Sequence, residues 1–265
     1  MKQFITIICI LFLLNSCSQK NDLIGQWNVG QLDFVLDNPD YFLKMGKTSG
    51  ENQSLILAKD GFFMYFDNSV SIGNWEYSDK NSLLVLNVLN DTLDSFQMNV
   101  KSLDSKKMSC TLDTIISEVS GTFEFECKKV DKDIFDSEYN FVSLKMNEWR
   151  IPAKQKEGKE QIKKRIEDGM NFAITYLKYY QSKDKATTTN FLKPLPFIFA
   201  GNGIGFEKNT DWEKLFFDEE DAVISYEIIK NAFKPRAEIP YEIQKKPISL
   251  NLFILEKLKQ KVKEY

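Results

Sequence analysis

The chain carries four cysteines and no histidine, and that pairing narrows its chemistry at once. Histidine is the commonest general base and the commonest metal ligand. Without it, neither a Ser-His-Asp nor a Cys-His nucleophilic site can be assembled, and no His-ligated zinc centre either. Carboxylates, lysine and tyrosine remain as catalytic groups. Asp218, Glu219, Glu220 and Asp221 crowd together, but consecutive positions fan around a helix instead of converging on one point. They read as an acidic first turn, with Asp218 as its cap. Gly201, Gly203 and Gly205 have the look of a phosphate-cradling loop. No helix opening with Lys-Ser or Lys-Thr follows them, so they read as a hairpin turn. No catalytic residue, metal or cofactor is expected, and a carboxylate-based hydrolase is the least favoured of the functions considered.

The cysteines divide into two pairs. Cys9 lies within an unbroken apolar run, Phe4 to Leu14, behind Lys2. The run has the length of the apolar region of a secretory signal and is too short to span a bilayer. It ends in Leu14-Asn15-Ser16-Cys17, followed by polar residues. This arrangement resembles the lipobox of bacterial lipoproteins. The resemblance implies a signal peptide at 1–16, cleavage before Cys17, and acylation of Cys17 as the anchor of a lipidated tether, 17–22. "SQKND", Ser18 to Asp22, resembles the short tag of some surface-exported lipoproteins, with Asn21 where an acid is usual. The expected location is the outer membrane, on its periplasmic or cell-surface face.

From Leu23 the chain breaks into short apolar segments divided by turn signals. "SLILA" and "FFMYF" flank Lys59-Asp60-Gly61; "IGNWEY" and "SLLVLNVL" flank Ser78 to Asn81; "SFQMNVKSL", "MSCTLD" and "TFEFECKKV" follow. Asp-Gly beside alternating apolar residues is a strong hairpin signal. Phe96, Met98 and Val100 share one parity; so do Phe123, Phe125 and Cys127. Period-two patterning with one polar face predicts an antiparallel sheet. About eight strands fit, the number that closes a small barrel. The stretch from Gly30 to Asn52 fits no strand. It reads as a loop with a helical turn at Asp40 to Met45, over the barrel mouth.

Gly25-Gln26-Trp27, the Asp-Gly hairpin and Gly73-Asn74-Trp75 together resemble the lipocalin-like domains of bacterial lipoproteins. The resemblance implies an up-and-down barrel over 23–131 with Trp27 as the plug of one end. Lipocalins place an arginine over that tryptophan. The first arginine here is Arg150, which leaves the place to Lys128 or Lys129. Parity makes Phe63, Tyr65, Trp75, Phe96, Met98, Phe123 and Phe125 candidates to line a ligand, although the same side chains could fill the barrel. Adjacent residues of "FFMYF" cannot all point inward.

Cys110 and Cys127 are a disulfide candidate from register. If the last two strands form a hairpin with Cys110 opposite Cys127, Leu112 meets Phe125 and Thr114 meets Phe123 on one face. The loop is then Ile115 to Thr122.

Residues 132–152 read as a linker and 153–265 as an α+β, helix-rich region. Apolar positions at Ile162, Ile166, Met170, Ala173 and Leu177 recur with helical spacing. "PFIFAGNGIGFE" reads as two strands, and "FDEEDAVISYEIIKNAF" and "ISLNLFILEKLKQKVKEY" as helices. Trp149 and Trp212 are expected to be packing residues. The net charge of −3 and the absence of a basic block speak against nucleic acid. Together these features predict a membrane-anchored, non-catalytic binding protein holding a small apolar or amphipathic ligand in its barrel. The alternative is a protein-interaction or immunity-type lipoprotein with a solid barrel.

Overall fold

The computed structural model describes residues 19–36, 53–67, 69–90, 95–116, 119–130, 134–135, 139–183, 189–233 and 239–265. Cys17, the expected signal segment and the expected helical turn at Asp40 to Met45 lie outside them. A short helix, α1 (Lys20–Leu23), leads into eight antiparallel strands that close into a barrel in sequence order. They are β1 (Gly25–Leu36), β2 (Ser54–Leu57), β3 (Phe62–Phe66), β4 (Val70–Ser78), β5 (Leu83–Val88), β6 (Ser95–Leu103), β7 (Lys107–Ile116) and β8 (Val119–Lys129). Every hairpin expected from the turn signals forms. At the Asp-Gly turn, the Phe62 amide donates to Asp60 Oδ1 and Gly61 adopts a φ of +84°, which glycine tolerates without strain.

β1 is longer than its pattern suggests. Residues Gly30 to Leu36, expected in a loop, continue the strand beyond a register shift between Val29 and Leu32 against β8. The bulge exchanges the inward parity: Trp27 and Val29 face in below it, and Leu32 faces in above it. Gly30 makes this possible, because a Cβ there would stand 2.6 Å from the Glu126 carbonyl oxygen. An inserted residue of this kind erases simple alternation from the sequence.

The second half is helical with a small hairpin. Two short turns, α2 (Leu144–Asn147) and a 3₁₀ turn over Glu148–Arg150, precede the long helix α3 (Lys159–Ser182). Then come a 3₁₀ turn (Thr189–Leu192), the hairpin β9 (Phe197–Ala200) and β10 (Gly203–Phe206), α4 (Thr210–Glu213), α5 (Glu219–Phe233), α6 (Tyr241–Gln244) and α7 (Pro247–Glu264). The Asp221 amide donates to Asp218 Oδ1 at the start of α5, the expected cap. Lys178–Glu256 and Lys263–Glu167 ion pairs join α3 to α7. Among the described residues, no helix is long and apolar enough to cross a membrane.

Two hydrophobic cores result. One lies inside the barrel around Trp27, Trp75 and Phe63. The other joins the outer face of β2–β4 to the helical region. Ile56, Phe62, Met64, Phe66, Val70 and Ile72 pack in one cluster with Trp149, Phe172, Tyr176, Phe191 and Trp212. The Phe66 and Phe191 ring centroids are 4.3 Å apart. This settles "FFMYF": Phe63 and Tyr65 belong to the interior, while Phe62, Met64 and Phe66 belong to the outer wall and are covered. The strand is apolar on both faces because both faces are packed.

The expected linker is not a bare connection. From Tyr139 it is folded into the second core, with Phe141 and Trp149 buried. Arg150 is fully buried there. Its guanidinium lies 4.3 Å from the Trp149 ring and 4.7 Å from that of Phe172. Its Nε donates to Asn147 Oδ1 and its Nη2 to the Phe191 carbonyl. Burial holds the group well below its ordinary pKa. A planar cation can be sandwiched by aromatic rings in a way that an ammonium cannot.

Candidate ligand-binding cavity

The interior of the barrel is filled at one end and hollow towards the other. The filled end is where β1 begins, β8 finishes and the β2–β3, β4–β5 and β6–β7 turns lie. Trp27 is fully buried at this end, and its Nε1 donates to the Leu23 carbonyl of α1 at 2.7 Å. Lys129 Nζ stands 4.8 Å from the centre of the Trp27 ring, so Lys129 takes the place left by the absent arginine. Gly25 has a φ of +145°, and a Cβ there would meet Lys129 Cε at 2.6 Å. The Gly25-x-Trp27 spacing therefore couples a backbone conformation suited to glycine with the close approach of the lysine stem.

Trp75 sits beside this plug. Its Nε1 donates to the Ala58 carbonyl at 2.8 Å, and Lys20 lies 5.2 Å from its ring. It was a candidate to line a ligand, and the structure corrects that: its side chain fills the closed end and is absent from the cavity wall. Inward parity selects a face of the sheet but not a height along the barrel axis.

Above the plug is a cavity of about 210 Å³. Of the expected lining residues, Phe63, Tyr65, Phe96, Met98, Phe123 and Phe125 all border it. Val29, Leu32, Leu55, Leu86, Leu112 and Cys127 complete the wall. Leu32 was hidden by the bulge. Leu112 and Cys127 carried an inward signal in their alternation, and Leu55 and Leu86 lie in apolar strands where alternation is weak. Among the described residues, no charged side chain borders the space. Its polar groups are the Tyr65 hydroxyl, which donates to Gln53 Oε1 at 3.2 Å, and the Cys127 thiol. Burial, with the nearby Asp67 as a second cause, raises the Tyr65 phenol to about 12. The hydroxyl stays neutral across the physiological range.

The two cysteines share the inner face but do not oppose each other. Cys110 pairs with Phe125, and Met108 pairs with Cys127. The register is thus displaced by two residues from the expected one, and the expected disulfide is replaced by two free, buried thiols. The reason is the hairpin. β7 and β8 stay paired up to Ile116 and Val119, where an eight-residue loop was expected. Diagonal neighbours of this kind lie about 7–8 Å apart, beyond the reach of a relaxed disulfide. Burial pushes the Cys110 thiol up to about 12 and raises that of Cys127 as well. At pH 8 the Cys110 thiolate is then roughly a thousandfold scarcer than in an ordinary thiol. Iodoacetamide at pH 8 should therefore leave both residues unmodified in the folded chain and modify both in urea. Peptide mass spectrometry reads the result, and fast labelling without denaturant would contradict the buried register. Because the folded state holds these protons more tightly, their contribution to stability is present below about pH 9 and is lost as the pH rises towards 12.

The fold and this site define a class: an eight-stranded antiparallel barrel, closed at one end, with an apolar cavity and a helix-rich region packed on its wall. No family model matches the chain, and no curated protein matches it.

Proposed function

We propose that this chain is a lipoprotein anchored to the outer membrane through Cys17, whose lipocalin-like barrel binds a small apolar or amphipathic ligand without transforming it. The cavity carries this reading. A solid barrel would have filled the space that Phe96, Leu112, Phe123 and Phe125 leave around its upper half. Those four residues and Leu32 are only half-buried, so a ligand would remove further apolar surface from water, at about 25 cal/mol per Å². Among the described residues, the wall offers no cation to a carboxylate and no carboxylate to a cation. It suits a molecule whose buried part is neutral, with at most one polar atom near Tyr65. At about 210 Å³ the space lies below the usual range of drug-sized pockets, so the buried part is small. The Gly25, Trp27 and Lys129 arrangement supports the lipocalin-like description.

The test uses the chain from Gln19 to Tyr265, which contains both cores. Titration with N-phenyl-1-naphthylamine, a neutral fluorophore, should show saturable one-to-one binding. Leu112→Trp places a larger ring in the cavity and should weaken binding at least about tenfold, roughly 1.4 kcal/mol, with the urea midpoint little changed. Absence of saturable binding, or a folded Leu112→Trp chain that binds as the parent does, would overturn the proposal.

A further inference from the structure

Charge is distributed unevenly along the barrel axis. Around the closed end, Lys20, Lys59, Lys80, Lys106, Lys107 and Lys128 are all exposed. The carboxylates at these turns are Asp22, Asp60, Asp79 and Asp104, and on the strands leading into them stand Glu76, Glu126, Lys101 and Lys129, so eight lysines face six carboxylates in this half. Three of the four turn carboxylates accept backbone amides and keep their charge. Asp60 accepts from the Phe62 amide, Asp79 from that of Gln19, and Asp104 from those of Lys106 and Lys107. Among the described residues of the mouth half, Asp33, Asp67, Asp113 and Glu124 are charged and there is no lysine or arginine. Among the described residues, a chain with a net charge of −3 thus carries a barrel with a modest excess of lysine around its closed end and only carboxylates towards its mouth.

We propose that the closed end of the barrel is a docking face for an anionic membrane surface, and that the mouth consequently points away from the bilayer. Lysines within a Debye length of an anionic leaflet, about 8 Å at physiological salt, favour association, and acidic groups disfavour it. Six exposed lysines at the turns around one end of a barrel present such a face, and the acidic mouth half is repelled by the same surface.

The chain's path agrees with this orientation. α1 begins at Lys20 on the closed end, where the Tyr77 hydroxyl donates to Gln19 Oε1. The orientation set by the chain's path rests on the lipid-anchored reading of Cys17. Two residues separate Cys17 from Lys20, and the three Cα–Cα steps between them, fully extended, reach about 10 Å. β8 has 11 residues. At about 3.3 Å per residue and a tilt of about 40°, it spans roughly 28 Å of the barrel axis. An anchor at Cys17 cannot bring the mouth to the same membrane. Ligand would then enter from the aqueous side, delivered by a soluble or opposing partner and not from the anchoring leaflet.

The full chain, purified in detergent, is reconstituted into vesicles of phosphatidylglycerol with phosphatidylcholine, and separately of phosphatidylcholine alone. Both samples receive a brief pulse of a limiting amine-acetylating ester, and peptides are read by mass spectrometry. On the anionic vesicles Lys59, Lys80, Lys106 and Lys107 should react at least about threefold more slowly, with the protection lost in about 0.5 M salt. Lys230 and Lys245, exposed on the helical region, should change little. Lys80→Glu combined with Lys106→Glu alters only turn residues and should abolish the protection of Lys59 and Lys107. Equal reactivity on both vesicles, or equal protection of Lys230 and Lys245, would overturn the proposal. The intact mass of the same sample shows whether Cys17 carries acyl chains. Protection without acylation keeps the docking face and removes the anchor; acylation without protection does the reverse.

Discussion

A chain consisting of the barrel alone, residues 19–138, will not stay soluble as a monomer. In the complete protein the outer face of β2–β4 is not a solvent face. Ile56, Phe62, Met64, Phe66, Val70 and Ile72 are buried against the helical region. Burying a large apolar side chain is worth about 1.5–3 kcal/mol. Uncovering these six costs on the order of 10 kcal/mol, the size of a whole domain's stability. It also leaves a contiguous apolar patch that invites association. The truncated chain should therefore pellet, or elute as large aggregates in size-exclusion chromatography. Phe62→Thr, Met64→Lys, Phe66→Thr and Ile72→Lys together, which restore a polar outer face, should return it to a monomer. A soluble monomeric barrel with the native face uncovered would show that the shared core does not hold the two halves together.

Trp27→Ala should cost about 3–5 kcal/mol in urea unfolding, the range for removing a buried aromatic side chain. Three things are lost at once. The indole is fully buried. Its Nε1 satisfies the Leu23 carbonyl that pins α1 under the barrel. Its face supports Lys129. Trp27→Phe keeps much of the ring volume and gives up the hydrogen bond, so it should cost only about 1–2 kcal/mol. If the two substitutions are equally costly, the hydrogen bond to α1 rather than the ring is what closes this end. If Trp27→Ala costs less than about 1 kcal/mol, Trp27 is not a structural plug.

Several features of the molecule were local enough to be determined by sequence alone. Strands β2 to β8 follow from alternation and turn chemistry, as at Asp60-Gly61, where side chain and φ are dictated by neighbours two residues apart. α3, α5 and α7 follow from the 3.6-residue recurrence of apolar positions. Six of the cavity residues follow from parity, because period two assigns a face without knowledge of the partner strand.

What tertiary structure decided is what parity leaves degenerate. Pairing Cys110 with Cys127 and pairing it with Phe125 differ by two residues. Both registers set apolar against apolar on the same face, so the hydrophobic pattern cannot choose between them. The hairpin chooses, by keeping β7 and β8 paired up to Ile116 and Val119. Height along the barrel is equally invisible. Trp75 and Phe63 both belong to the interior core, yet one fills the plug and the other lines the cavity. The bulge after Val29 reverses parity within one strand and so disguises Leu32. Finally, the outer faces of Phe62, Met64 and Phe66 become core only because residues more than a hundred positions later, Phe191 among them, fold back to cover them. A pattern read along one strand contains no term for a neighbour so distant in sequence, and burial is decided by that neighbour.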